Sequence, residues 1–231
     1  MLDTKINKLQ KKIFLWYERN KRDLPWRKTK DPYKILISEI MLQQTQVNRV
    51  IEYYHRWLRR FPSVYDLAKT DTKTLLSHWS GLGYNNRALR LRELAKVVVE
   101  EYEGRIPDTE EELLSLPGIG PYTANAILAF SFNKDVVVVD TNIRRIFIHE
   151  LGLHEGISEK ELYSIVEDAI PGGRCREWYN ALMDYGAVFL TSRKTGIKPI
   201  SQQSAFVGSD REVRGYVLKQ LIGKNKLLVS D

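Results

Sequence analysis

Apolar residues recur at helical spacing along almost the whole chain. Over residues 5–19, Ile6, Leu9, Ile13, Leu15 and Trp16 fall near one helical face, with lysines opposite. A turn is expected at Asp23-Leu24-Pro25-Trp26, and from Pro32 a helix runs through Ile35, Leu36, Ile40 and Met41. The polar run Gln43-Gln44-Thr45-Gln46 interrupts the pattern. A further helix follows from Val47 to Leu58, stopped by Phe61-Pro62. Ser63 and Asp71 are N-cap candidates for two short helices that end at Gly81. The next helix spans about 85–103, with Gly104 and Pro107 beyond it. Thr109 with Glu112, Ser158 with Glu161 and Ser209 with Glu212 have capping-box spacing, in which hydroxyl and carboxylate satisfy free backbone N–H groups reciprocally. The only strand-like run, Val136-Val137-Val138-Val139, is too short to define a sheet. The pattern predicts an all-α fold.

Composition narrows the class. The 231 residues are 43% hydrophobic and 28% charged, ordinary for a globular chain and enough for a core. No apolar run approaches the roughly 20 residues of a membrane helix, and the N-terminus lacks a signal-peptide pattern. A single cysteine, Cys175, excludes an intrachain disulfide and any cysteine-cluster metal site. A cytoplasmic protein with no membrane partner is expected, and a monomer. The net charge of +7 is uneven: residues 1–30 carry ten basic and three acidic groups, 191–231 eight and three, and 31–190 eighteen and twenty-three. Charge alone leaves two readings open, solvated ends or an anion-binding face.

Leu116-Pro117-Gly118-Ile119-Gly120-Pro121-Tyr122-Thr123 lies between two helical patterns. Two glycines at spacing two permit positive φ and let backbone N–H groups approach a phosphate. A bare GxG is more often an ordinary turn. The full string, however, resembles the helix–hairpin–helix motif of DNA glycosylases.

The resemblance extends along the chain. Leu24-Pro25-Trp26-Arg27, Asp31-Pro32-Tyr33-Lys34 and Ser38-Glu39-Ile40-Met41-Leu42-Gln43-Gln44-Thr45-Gln46-Val47 are similar to the opening of MutY-type adenine DNA glycosylases. Gly81-Leu82-Gly83-Tyr84 and Val139-Asp140-Thr141-Asn142 fall at the matching distances. The resemblance covers about residues 20–190. It implies a two-lobed helical fold with the DNA groove between lobes: one lobe over 31–137, a second from 1–30 plus 138–205, and a C-terminal extension over 206–231.

The same resemblance assigns roles. Glu39 would protonate the base, and Asp140 would stabilise the oxocarbenium-like sugar; Tyr122 and Asn142 would order the carboxylate and the water. Glu39 stands in an apolar stretch, where burial would raise its pKa and keep it protonated. Asp140 is also an N-cap for the helix from Thr141, and the helix terminus would hold it ionised. Gln43, Gln44 and Tyr84 would fill the gap left by the flipped base. Leu116, Gly118, Ile119, Gly120 and Tyr122 would line the hairpin's DNA contact, with a sodium or potassium ion at the Leu116 and Ile119 carbonyls. Arg27, Arg49, Arg87 and Lys21 are candidate backbone contacts.

Three departures sharpen the reading. Tyr122 stands where bifunctional relatives carry a lysine, so a monofunctional enzyme is expected. Leu190 falls where the first iron–sulfur ligand would lie and residues 191–204 contain no cysteine, so no cofactor and no iron–sulfur cluster is expected. The segment would be held instead by Phe206, Val207, Val213, Val217 and Leu221. With the sequence ending at Asp231, the family's usual 8-oxoguanine-recognition domain is not expected. The expected activity is removal of adenine mispaired with G or 8-oxoguanine from double-stranded DNA. A thymine or uracil glycosylase acting on mismatches with G is the alternative, because Gly172-Gly173-Arg174-Cys175-Arg176 resembles that branch. A non-catalytic binder of DNA structure is the third.

Overall fold

The computed structural model describes residues 2–198 and 208–224. Helix α1 spans Leu2–Asn20 and is followed by a single 3-10 turn, Pro25–Arg27. Then come α2 (Pro32–Leu42), α3 (Val47–Arg60), α4 (Val64–Ala68), α5 (Thr72–Trp79) and α6 (Asn86–Glu101). Next are α7 (Glu110–Ser115) and α8 (Pro121–Ile127), the latter running into a π-helical turn, Leu128–Phe132. The chain continues through α9 (Thr141–Leu151), α10 (Glu159–Asp168) and α11 (Cys175–Asp184), a second π-helical turn at Tyr185–Phe189, α12 (Ser192–Thr195) and α13 (Asp210–Lys224). Among the described residues there is no strand, and no helix long and apolar enough to cross a membrane.

The chain divides into two compact units. One comprises 2–32 with 121–198; the other comprises 33–120 with α13. The boundary therefore falls at Gly120/Pro121, inside the glycine hairpin, rather than at 137/138. The reason is packing: Ala129 and Val138 are buried in one cluster with Ile13, Ile143, Phe147 and Trp178. The segment expected as a C-terminal extension also falls differently, because α13 packs against α5 in the second unit. The basic N-terminal residues and α13 thus belong to different units. Phe206 and Val207 lie outside the described residues, while Val213 is 62% exposed and Leu221 also faces solvent. The two exposed residues are no packing anchors.

In the first unit, α1 buries Ile6, Leu9 and Ile13 against α9 and α11. Leu15 is exposed instead, because two residues beyond Ile13 is about 200° around the helix. Residues 136–139 form no strand, and side chains hold part of their backbone. The Tyr179 hydroxyl donates to the Val136 carbonyl and accepts from the Val138 N–H, each at 3.0 Å, and Asn125 Nδ2 donates to the Val137 carbonyl. Asp184 has no solvent exposure. It accepts from the Arg22 and Arg27 guanidiniums at 2.5 Å each and from the Arg22 N–H at 2.9 Å. Cys175 is buried, which pushes its thiol up to about 11 and leaves it unreactive.

In the second unit, Trp57 stacks edge-on with Phe61 and Trp79, all fully buried. The Tyr33 hydroxyl donates to the Phe61 carbonyl at 2.9 Å and pins the start of α2 to the end of α3. Ser63 closes a capping box with Asp66, and Asp71 caps α5 through Thr74. Among the three boxes read from sequence, Ser158–Glu161 closes fully. At Thr109 the hydroxyl caps Glu112 N–H, but the Glu112 carboxylate takes that hydroxyl rather than the backbone N–H. Glu212 accepts from the Gly208 N–H at 2.7 Å.

Candidate active site

The carboxylate side of the site is built at the start of α9. Asp140 has extended backbone geometry and caps the helix, its Oδ1 accepting the Ile143 N–H at 2.7 Å. Asn142 Nδ2 donates to Asp140 Oδ2 at 2.8 Å. Asn142 Oδ1 in turn accepts from Arg145 Nη2 at 2.6 Å. Arg145 is only 5% exposed and donates onward to the carbonyls of Gly186 at 2.8 Å and Leu190 at 2.7 Å. A chain of charge-assisted hydrogen bonds thus runs from the Asp140 carboxylate to the second π-helical turn. Arg145 acts through Asn142, as a positioning residue. Spacing makes this possible: Asn142 and Arg145 stand three apart on one helix face. The available sequence signal was the pair Arg144-Arg145 inside the apolar run Ile143–Ile148.

Burial raises the Asp140 pKa above the usual carboxylate range. The Ile143 N–H, the Asn142 amide and the Arg145 charge pull the other way without overcoming it. The helix terminus therefore does not hold this carboxyl at a depressed pKa, as a cap alone would. Tyr122, in α8, is half-buried against the same core cluster.

Leu190, where a first cluster ligand would fall, is buried, and its carbonyl is held by Arg145. Gly186 is required beside it: an added Cβ would lie 2.7 Å from the Asn142 Cβ. Replacing Gly186 with alanine should displace Asn142 by a few tenths of an ångström or more. A single-turnover excision rate lower by about 10–100-fold, with binding of product DNA little changed, is the expected result.

In the second unit, Glu39 is half-buried on α2 between buried Ser38 and Ile40. Gln43 is half-buried and Gln44 exposed in the turn that ends α2, and Gln44 takes φ +56°. Tyr84 is 40% exposed at φ +48°, following Gly81 and Gly83, which also have positive φ. Gly81 is required there because an added Cβ would fall 2.0 Å from the Tyr53 hydroxyl.

Leu116, Pro117, Gly118 and Ile119 form a tight turn closed by Ile119 N–H to the Leu116 carbonyl at 3.2 Å. Gly118 supplies φ +83°, as a type II turn with proline before it demands. Gly120 does not take positive φ. Its contribution is space, with nothing within 4 Å of where a Cβ would sit.

Two basic candidates are used internally. Arg27 is paired with buried Asp184, its side chain only 11% exposed. Arg87 is turned into the second unit and donates to backbone carbonyls there. Both were read from sequence as DNA contacts, because counting charges does not show which cations have internal acceptors.

The family model described as HhH-GPD superfamily base excision DNA repair protein matches residues 37–171. The chain is 40% identical over 179 residues to the adenine DNA glycosylase of Buchnera aphidicola subsp. Baizongia pistaciae, covering 76% of this chain and 51% of that protein. It thus spans about half the length of that relative. It is 36% identical over 186 residues to the thymine/uracil-DNA glycosylase of Methanothermobacter thermautotrophicus, covering 79% and 84%. Among solved structures, a thermostable thymine-DNA glycosylase superposes with a TM-score of 0.78 at 34% identity, over 83% of this chain and 90% of the other.

Proposed function

The chain belongs to the HhH-GPD superfamily of base excision DNA repair proteins, and we propose that it excises adenine mispaired with guanine or 8-oxoguanine from duplex DNA. The observation that carries this reading is the Asp140 carboxylate, set by Asn142 and Arg145 at the start of α9. The identity to an adenine DNA glycosylase supports it, as does the string Met41-Leu42-Gln43-Gln44-Thr45-Gln46-Val47.

Glu39, as the acid, gives its proton to a ring nitrogen of the flipped base, which leaves as a neutral molecule when the glycosidic bond breaks. The electron pair of that bond departs with the base. Positive charge develops on the sugar, and the ionised Asp140 carboxylate stabilises it. Water then adds to the sugar carbon and its proton returns to Glu39. Asn142 and Tyr122 hold the carboxylate and the water in place. The Gly118–Gly120 amides receive a DNA phosphate. The Leu116 and Ile119 carbonyls, as neutral oxygen donors, would hold a sodium or potassium ion here, and Leu116 already accepts one hydrogen bond in the turn. This reading includes no iron–sulfur cluster, since the chain has one cysteine and it is buried.

Tyr122 carries no amine and cannot form an imine with the abasic sugar. Strand breaks should therefore be seen only after alkali, and borohydride should trap no covalent complex. A borohydride-trapped complex would overturn the monofunctional assignment.

The substrate reading is tested with one panel of duplexes carrying A, T or U opposite G or 8-oxoguanine. Release of adenine is expected. The likeness to thymine glycosylases favours a second reading, removal of T or U opposite G, and cleavage of T·G without A·G would select it. Cleavage of none of the duplexes would indicate a DNA-structure binder.

A further inference from the structure

Arg87 lies near the start of α6, and its guanidinium makes six hydrogen bonds to neutral acceptors in two separate turns. From the turn that ends α2 it takes the carbonyls of Ile40 at 2.7 Å, Met41 at 3.2 Å and Gln43 at 2.5 Å, together with the Thr45 hydroxyl at 3.2 Å. From the turn after α5 it takes the carbonyls of Leu82 at 3.3 Å and Gly83 at 3.1 Å. The same group stacks on Trp79 and Tyr84, with ring centroids 5.1 and 5.6 Å away. Thr45 reinforces the junction through its own hydroxyl, 3.5 Å from the Leu82 carbonyl.

Each turn contains a residue in a sparsely populated conformation, Gln44 at φ +56° and Tyr84 at φ +48°. Non-glycine residues are strained there, so both conformations persist only where their surroundings over-determine them. Arg87 is the shared determinant. Burying a guanidinium without a carboxylate partner is itself unfavourable, which lowers its pKa to about 10. A simple packing role would be better served by an apolar side chain.

We infer that Arg87 is a positioning residue that locks the Gln43–Gln44 turn and the Gly83–Tyr84 turn into one rigid element, so that both read the base opposite the lesion in a fixed register. The inference rests on the proposed function insofar as Gln43 and Tyr84 are the residues that enter the stack. Lysine cannot replace the fork, because one ammonium cannot reach both turns with planar, divergent donors.

The test uses the intact protein with Arg87→Lys and Arg87→Met. Single-turnover excision is measured for adenine opposite G, 8-oxoguanine, C and T, and hydrogen exchange is followed on the DNA-free protein. The expected result is at least a tenfold loss of discrimination between G and C as the opposite base. The limiting rate on the best duplex should fall by less than that factor. Faster amide exchange should be confined to residues 40–45 and 81–84. An equal fall in rate opposite every base, or faster exchange spread through α5 and α6, would show a merely stabilising residue and overturn the inference. Should the wild-type protein excise no base, the functional reading fails, and exchange alone decides for or against the clamp.

Discussion

Asp140→Asn should abolish base excision, by about 10³-fold or more in single-turnover rate, while the melting temperature stays within a few degrees of wild type. Asparagine is as good an N-cap as aspartate, and its carbonyl can keep the Ile143 N–H now bound at 2.7 Å. What disappears is the negative charge that the oxocarbenium-like sugar needs. Two smaller effects on folding oppose each other. The new amide faces the Asn142 Nδ2 donor, now 2.8 Å from a carboxylate oxygen, and that hydrogen bond is lost. Against this, a partly buried charge is removed. Because burial raises the pKa of Asp140 in the folded chain, its ionised form disfavours folding.

The sign of the pH dependence follows. Between the ordinary carboxylate range and the raised value, the folded protein binds more protons than the unfolded chain. Stability from this group is therefore greatest at the acidic end and falls as pH rises through the window. Excision requires the ionised form and rises through the same window. Rate and melting temperature, measured against pH for wild type and Asp140→Asn, should move in opposite directions for this one group. A parallel rise of both would place the carboxylate at a depressed pKa and contradict the geometry.

Asp184→Ala should have the largest effect on stability. Its carboxylate is fully buried and paired with two guanidiniums, of which Arg27 is also largely enclosed. Removing one partner of a buried ion pair leaves charge without compensation and costs about 3–5 kcal/mol. For a chain of this size that lowers the melting temperature by roughly 10 °C. Asp184→Asn should be intermediate, since one acceptor oxygen remains. Denaturant unfolding is the direct check. A loss below about 1 kcal/mol would show that the two arginines find other acceptors or water.

The helices were legible in the sequence because each signal is local. Pro32, Val47 and the caps at Ser63, Asp71 and Ser158 each act within one turn. Candidates for the site came from residues that sit in short strings, as with Glu39, Gln43 and Asp140. Long-range satisfaction was not legible. Arg27 and Arg87 carry the same formal charge as a DNA-facing arginine, and only the fold shows that Asp184 and the carbonyls of two turns claim them. Arg145 escaped notice for the same reason. Its acceptors at Gly186 and Leu190 lie 41 and 45 residues away. The unit boundary was set at 137/138 by the resemblance, and the valine run at 136–139, read only as a strand too short for a sheet, carried no signal of where it packs. Its backbone is held by Tyr179 and Asn125.

The ion pair between Arg22 and Asp184 joins residues 162 apart in the chain. This has a consequence during synthesis. At about 5–20 residues per second, helix α1 leaves the ribosome roughly 10–30 s before α11, its packing partner, exists. During that interval Ile6, Leu9 and Ile13 have no permanent cover. Most of the second unit, residues 33–120, is by contrast contiguous and emerges as one stretch, with only α13 to be added later. The nascent chain should therefore acquire protease resistance in two stages, the second only once α11 has appeared, with α1 the vulnerable element in between.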